Sequence, residues 1–431
     1  MLDRPNISKQ IIRAAGEIER WLEAPVRRTP DVFKVDGYAG TGKTTLIKHV
    51  ISRIGDDGVF CAALSGKAAF VMRSKGIENA STIHSLIYKT VAASADQIEK
   101  LKERIRTTPQ TSANDEIVRR LKEQLRELER PSFKLNTDSK LRGARLLILD
   151  EVSMVGQKIA EDLISFGPPI LVVGDPGQLP PVDGSETGFF DSIDADVTLT
   201  EPHRQEAGSP IIELATDIRL GRPWRKYGGG VAGNTIERLG SERLYAWMEK
   251  ADQVICGLNR NRRKCNVEML RRAGFDNVFP AGRGEKLICL RNDHQRGLVN
   301  GMPVALVDIC DEGHDKYFSA RLLVTDEEGK LTDDRGEARI YKGFFETARD
   351  GNEQRIDDDR PLLNRERLVE LDWGYCITAH KAQGSEWGSV LVLDDGWGLG
   401  RKGGQEQHRR WLYTAVTRAS RNVAVVRADR F

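Results

Sequence analysis

From residue 31 to residue 205, short apolar runs alternate with stretches whose apolar positions recur at helical spacing. VFKV, VFCAAL, RLLILD, ILVVGD and VTLT are near-continuous in Val, Ile, Leu and Phe, and several end in Gly, Asp or Ser. Continuous apolarity, as opposed to alternation, predicts strands buried on both faces of a parallel sheet. Sheets of that kind place ligands beyond the carboxyl ends of their strands, where these polar residues cluster. A second unit of the same sort is expected after Arg204: DQVICGLN reads as a strand, NRRKCNVEMLRRAG as a helix, and SVLVLDD, WLYTAVTRA and NVAVVRAD complete it. The fold class expected is therefore α/β, with two parallel sheets flanked by helices.

Two segments break this alternation. Between Ile87 and Lys140, Ile98, Leu101 and Ile105, then Ile117, Leu121, Leu125 and Leu128, recur at helical spacing around the turn-rich TTPQTSAND. This predicts a charged helical hairpin standing out from the sheet. Its bland reading is a solvated arm of no special function. Between Met302 and Pro361 the pattern shifts to short β-like runs, PVALVDI, FSARLLVT and EARIYKGFF, broken by Gly and Asp, which suggests a small β-barrel inserted in the second unit. The expected division is 1–86 and 141–205 for the first unit, 87–140 for its helical insertion, 206–301 and 362–431 for the second unit, and 302–361 for the β-rich insertion. KYGGGVAGN reads as a loop.

Composition narrows the partners. Lys plus Arg number 66 against 64 for Asp plus Glu, a formal net charge of +2, which excludes a generally polycationic protein. A nucleic-acid partner would have to be held by locally arranged basic groups. No apolar run approaches the length of a membrane span, and MLDRPNISKQ contains no signal-peptide core, so no membrane partner and a cytoplasmic location are expected. The six cysteines are scattered without a CxxC pair, several of them in apolar runs. They read as buried reduced thiols, not as a zinc site.

The chemistry starts at GYAGTGKT, which follows VFKV and precedes the helix-forming TLIKHVISRI. Strand, glycine-rich loop and helix in that order form a P-loop, whose backbone N–H groups cradle phosphates. Gly37, Ala39, Gly40, Thr41, Gly42, Lys43, Thr44 and Thr45 are the nucleotide-binding candidates, with Lys43 on the β- and γ-phosphates and the Thr44 hydroxyl on Mg²⁺. RLLILDE then delivers Asp150, a magnesium candidate through its water, and Glu151, the candidate general base for the attacking water. Together the two motifs indicate nucleoside triphosphate hydrolysis without saying what it drives. ILVVGDPGQLPPV adds a third strand end, with Gln178 in a proline-stiffened loop where a neutral amide can sense the γ-phosphate.

At that motif the chain resembles a superfamily 1 helicase, of the branch that contains RecD and the bacteriophage helicase Dda. The resemblance runs through nearly the whole chain in the family's motif order. ISKQIIRAA is similar to the adenine-reading motif, with Gln10 in the glutamine position. ALSGKAA, with Ser65 and Lys67, and STIHSLI, with Thr82 and His84, are similar to motifs that touch single-stranded DNA. ITAHKAQGSEW supplies Thr378, His380 and Gln383 for DNA and Glu386 for the nucleotide. EPHRQ and YTAVTRAS place Arg204 and Arg418, which the resemblance makes arginine fingers. Each has a bland reading: Gln10 as a surface glutamine, Lys67, Thr82 and His84 as polar residues at helix starts, both arginines as salt-bridge partners.

The resemblance implies two RecA-like motor domains closing on ATP, movement 5′ to 3′ on single-stranded DNA, action at duplex junctions, and replication or recombination proteins as partners. It also places the strand-separating wedge in the 87–140 insertion, whose main aromatic is Phe133. Small size is compatible with a phage-encoded enzyme working in the host cytoplasm. A monomer suffices, because one chain holds both halves of the ATP site. Trp224, Tyr227, Trp387 and Trp411 stand near basic residues as stacking options, although aromatics more often fill cores. A translocase that strips proteins from DNA without unwinding would share every motif, and a non-catalytic subunit would be expected to have lost some of them. A P-loop kinase would have no need of the second motor domain.

Overall fold

The computed structural model describes residues 7–25, 29–91, 95–109, 111, 114–129, 132–181, 189–201, 209–223, 234–236, 241–274, 285–293, 295–310, 314–325, 330–400 and 403–427. The N-terminal helix α1 (Lys9–Glu23) is capped by Ser8, whose side chain accepts from Ile11 N, and it buries Ile11, Ala14, Ala15 and Ile18. The first sheet then builds from β1 (Val32–Gly37), β2 (Val59–Ala63) and β3 (Ser81–Thr82). The helices α2 (Lys43–Ile54), α3 (Gly66–Ser74) and α4 (Ile83–Ile87) follow these three strands in turn.

After α4 the chain leaves the sheet through β4 (Tyr88–Val91), forms α5 (Ala95–Thr107) and α6 (Asp115–Glu129), and returns through β5 (Ser132–Leu135). The helical hairpin is thus present, and it stands on a two-stranded antiparallel ribbon in which Tyr88 pairs with Leu135 and Val91 with Ser132. The apolar periodicity carries the helices but gives no hint of this stem. The first sheet resumes with β6 (Leu146–Asp150), the helix α7 (Gln157–Ile164), β7 (Ile170–Gly174) and β8 (Val197–Leu199). Its order is β3-β2-β6-β7-β1-β8, and all its pairings are parallel. Every residue of β6 and β7 is buried, as continuous apolar runs require.

The second domain opens with α8 (Pro210–Arg219), β9 (Asn234–Ile236), α9 (Ser241–Lys250), β10 (Gln253–Cys256) and α10 (Asn259–Arg272). A β-rich portion follows: β11 (Leu287–Cys289), β12 (Pro303–Cys310), β13 (Tyr317–Thr325) and β14 (Leu331–Tyr341), the helices α11 (Gly343–Asp350) and α12 (Gln354–Glu366), and β15 (Leu371–Trp373). The closing elements are β16 (Cys376–Thr378), α13 (Ala379–Ala382), β17 (Trp387–Asp394), α14 (Gly404–Val416) and β18 (Ala419–Arg427). The second parallel sheet has the order β16-β10-β17-β18-β9.

The β-rich portion differs from expectation in extent. Its antiparallel sheet, ordered β14-β13-β12-β11-β15, takes in strands on both sides of the 302–361 run. A bridge between Ile340 and Val369 brings its two ends together, so the sheet curls towards closure. KGFF, which reads as the end of a strand, instead turns into α11, where Phe345 and Ala348 pack into this sheet's core beside Trp373. Phe344 turns instead towards Tyr341, Leu363 and Leu368, so consecutive aromatics serve two cores, and a helix satisfies the backbone of the segment without a further strand partner. Five of the six cysteines are buried, and none forms a disulfide. Among the described residues no helix is long and apolar enough to cross a membrane.

Candidate nucleotide and nucleic-acid site

The P-loop leaves β1 and enters α2 through Gly40 and Gly42, both with φ near +80° (77° and 83°), a conformation that a side chain disfavours. Gly42 is the residue before the first helical turn, and no side chain caps it. The first-turn N–H groups are consequently left for an anion, with the positive end of the helix dipole behind them. Lys43 rests its ammonium on the loop's own carbonyls, Gly37 O at 2.8 Å and Tyr38 O at 3.3 Å.

Across the loop, β6 ends in Asp150, whose Oδ1 accepts from Glu151 N at 2.9 Å. Glu151 sits at φ 53°, a left-handed backbone uncommon for a residue with a side chain, as happens where a reactive group is aimed by the fold. Burial pushes the Asp150 carboxyl up to about 6, and repulsion from Glu151 adds to this while Lys43 opposes it. Two adjacent carboxylates, one of them buried against its preference, fit a site that receives a cation. Asp150 and the Thr44 hydroxyl line the same cavity, so the residue set suits magnesium bound jointly by protein and phosphate.

That cavity, of ≈480 Å³, has walls from both α/β domains. Lys43, Thr44, Asp150, Glu151 and Gln178 line it from the first, and Gly384, Ser385, Glu386, Thr417 and Arg418 from the second. Ala39, Gly40, Thr41, Gly42 and Thr45 also line it, together with Lys48 from α2 and Met72, Ser74 and Lys75 at the end of α3. Arg418 is buried, its guanidinium held by Thr414 O at 3.1 Å, Ser385 O at 3.2 Å and Thr417 Oγ1 at 3.2 Å. These partners are carbonyls and a hydroxyl, not carboxylates, so the charge facing the cavity is not neutralised by them. Gln178 is buried and its Oε1 accepts from Gln383 Nε2 at 3.4 Å, which joins the phosphate-sensing candidate to a DNA candidate.

A second, more apolar cavity of ≈230 Å³ adjoins the P-loop, lined by Tyr38, Thr41, Thr200, Ile211, Arg219 and Tyr413 among others. The Arg219 guanidinium stacks on the Tyr38 ring at 3.9 Å. Gln10 does not line either cavity. Its amide is spent on the end of β8, donating to Thr198 O and Thr200 Oγ1 and accepting from Thr200 N and Glu201 N. It therefore holds the cavity-lining Thr200 in place.

The DNA candidates share a position in the topology. Ser65 follows β2, Thr82 ends β3, and β3 is the edge strand of the first sheet. Thr378 ends β16, the edge strand of the second. In both domains these side chains lie at the carboxyl ends of parallel strands, where open α/β sheets bind ligands. Ser65 and Thr82 cap α3 and α4, accepting from Ala68 N and Ser85 N at 3.1 Å each, so their bland role is realised as well. His84 contacts the Tyr88 and Phe133 rings at 5.4 and 5.8 Å, at the foot of the ribbon stem. His380 meets Trp397 edge-on at 5.1 Å. Lys67 is buried with its ammonium 5.3 Å from the Trp387 ring, a contact between the two α/β domains. Trp387 and Trp411 are 5% and 0% exposed and belong to the second domain's core, which removes them as stacking platforms.

Arg204, with the rest of EPHRQ beyond Glu201, and the Trp224–Tyr227 stretch lie outside the described residues. Sequence reasoning passed over Tyr413 and Thr414, although both stand inside the quoted block YTAVTRAS. Tyr413 reaches the P-loop, and Thr414 Oγ1 accepts from Leu179 N at 3.1 Å. A tyrosine in a helix otherwise buried against its own sheet is the available signal, because its hydroxyl must find a partner.

Comparison with known proteins gives a consistent picture. The AAA domain family matches residues 21–232, and the UvrD-like helicase C-terminal domain family matches residues 374–426. The chain is 28% identical over 299 residues to the ATP-dependent RecD2 DNA helicase of Deinococcus radiodurans, covering 64% of this chain and 35% of that protein. It is 31% identical over 200 residues to the ATP-dependent DNA helicase dda of Enterobacteria phage T4, covering 44% of this chain and 38% of that protein. The chain thus spans little more than a third of the length of these two relatives. Among solved structures it resembles the Bacteroides Pif1 helicase in complex with ADP-AlF3 and ssDNA, with a TM-score of 0.52, 18% identity, and coverage of 98% of this chain and 92% of that one. The likeness to that structure is one of fold.

Proposed function

We propose that this chain, a superfamily 1 protein of the RecD, Dda and Pif1 type, is an ATP-driven motor that moves 5′ to 3′ along single-stranded DNA and separates duplex at junctions. The observation that supports this most is the shared cavity: one wall carries a complete P-loop, Asp150, Glu151 and Gln178, and the facing wall carries Arg418 from a second domain. A nucleotidase needs the first wall, whereas a nucleotide that opens and closes a cleft needs both.

In this reading the first-turn N–H groups of α2 and Lys43 take the phosphates, the Tyr38–Thr200 cavity takes the base, and Glu151 orients and deprotonates the attacking water. Thr44 and Asp150 would hold magnesium, which when bound would neutralise charge on the phosphate oxygens. Arg418 meets the charge that develops on the γ-phosphate, so the closed cleft is favoured while that group is present and released when it has gone. The Gln178–Gln383 contact carries the change towards the edge strands, where Ser65, Thr82, His84, Thr378 and His380 grip the DNA strand in alternation. Lys67, seated on Trp387, contributes through the domain contact. The α5–α6 arm on its ribbon stem, with Phe133 at its foot, is the wedge. Each base-pair step resists opening by about 1.4 kcal/mol, a load that one rigid obstruction on a moving motor can overcome.

The test is steady-state ATP hydrolysis with and without a single-stranded oligonucleotide, with Lys43→Ala as the control. Stimulation of roughly tenfold or more, lost in the variant, is expected, together with unwinding of duplexes bearing a 5′ tail and not a 3′ tail. A rate indifferent to single strands would defeat the motor reading. A stimulated rate with no unwinding on either tail would turn the protein into a translocase.

A further inference from the structure

Helix α14 carries a hydroxyl that leaves its own domain. Tyr413 is 2% exposed, and its Oη donates to Asp175 Oδ2 at 2.8 Å while accepting from the backbone N–H of Ala39 at 3.1 Å. Ala39 belongs to the P-loop, and Asp175 follows β7 at the head of the turn that holds Gln178. The same carboxylate shapes that turn: its Oδ1 accepts from Gly177 N at 2.9 Å, and Gln178 N donates to the Asp175 backbone carbonyl at 3.1 Å. Gly177 packs so tightly on the tyrosine that a Cβ there would stand 2.9 Å from Tyr413 Cε1. One residue on, Thr414 takes the N–H of Leu179, the residue after Gln178. Consecutive residues of α14 therefore hold the phosphate loop and the phosphate sensor from the opposite domain, and the same helix leads into Arg418.

The balance within this network depends on what fills the P-loop. Asp175 is fully buried, and burial raises its pKa while the nearby Lys43 charge opposes the rise. A buried carboxylate is tolerated through its hydrogen bonds, and removing one of them is expensive. Incoming phosphates draw on two of the things this network uses: the backbone N–H groups of the loop and the Lys43 ammonium.

We propose that Tyr413 is a positioning residue that ties nucleotide occupancy of the P-loop to the seating of the second motor domain. Through that link it sets how strongly nucleotide and single-stranded DNA reinforce each other's binding. The proposal rests on the motor reading above and names a component of it that neither the motifs nor the resemblance assign. Its energetic content is a coupling between two ligands, which is reciprocal by linkage.

The experiment measures the affinity of the full chain for a fluorescent non-hydrolysable ATP analogue with magnesium, with and without saturating oligo-dT. The ratio of the two affinities is the coupling. Tyr413→Phe is expected to lower this ratio fivefold or more. Asp175→Asn is expected to do the same, and the double variant no more than either alone, because the groups act as one unit. Asp175→Asn carries the prediction if the phenylalanine variant does not fold. Equal weakening with and without DNA, leaving the ratio intact, would show a merely structural role and overturn the proposal. No coupling in the unaltered protein would overturn the motor reading and this inference with it, whereas wild-type coupling that survives in both variants overturns the inference alone.

Discussion

At the seam between the two α/β domains, side chains meet through buried hydrogen bonds with named partners: Tyr413 with Asp175 and Ala39, Thr414 with Leu179, Gln383 with Gln178. In the α5–α6 arm the charged groups pair at the surface instead. Lys100 and Asp96 are 2.7 Å apart with side chains 73% and 71% exposed, and Glu116 meets Arg119 and Arg120 in the same open fashion. Water competes for these described pairs of the arm and is kept from the buried hydroxyls and amides of the seam. An exposed ion pair contributes roughly 0–1 kcal/mol, whereas a buried polar group that loses its partner costs about 1–3 kcal/mol, more if charged. The surface charges of the arm can therefore change at little energetic cost, whereas losing a single buried hydroxyl at the seam leaves a polar partner unsatisfied.

This contrast is sharpened by substitutions of graded effect. Arg418→Ala should be the most severe, lowering the DNA-stimulated kcat for ATP hydrolysis by about 1000-fold or more, in keeping with the range seen for arginine fingers. A rate within a few-fold of wild type would mean that Arg418 only buttresses Ser385 and Thr417. Phe133→Ala lies between the two regions, since the ring is 53% exposed and touches His84 at the foot of the stem. It should reduce unwinding of a tailed duplex several-fold while single-strand-stimulated hydrolysis holds. Equal losses in both would place Phe133 in DNA binding and not in strand separation. The mildest change is Lys100→Ala, expected to alter unfolding free energy by no more than about 0.5 kcal/mol in chemical denaturation. A larger loss would show that the arm depends on its surface pairs after all.

Much of the cleft's first wall was legible because its chemistry constrains local sequence: a phosphate cradle requires glycines at fixed offsets, and a strand must deliver Asp150 and Glu151. The parallel strands were legible too, since burial on both faces writes itself as continuous apolarity. The ribbon stem was not. YKTV and SFKL are short and mixed in polarity, and what makes them strands is pairing with each other across some forty residues. Tyr413 was hidden for a different reason. Its hydroxyl is satisfied 374 residues away in sequence, at Ala39, and although a buried tyrosine must find a partner, no local pattern says where that partner lies. Lys67 presents a different case: a basic residue in a DNA-type motif lies buried with its ammonium beside Trp387, an environment that its motif does not announce. The turn from β14 into α11 was masked because KGFF suits either state until its packing partners are known.

The antiparallel ribbon at the root of the arm also bears on inheritance. Because β4 and β5 lie side by side from Tyr88↔Leu135 to Val91↔Ser132, whatever they carry departs and returns at points about 5 Å apart. A cassette with adjoining ends can be lengthened, swapped or recombined between lineages without asking the parent sheet to move. Its closure penalty grows only with the logarithm of its length. The arm is thus a graft point, at which the machine can acquire a new tool while its engine stays as it was.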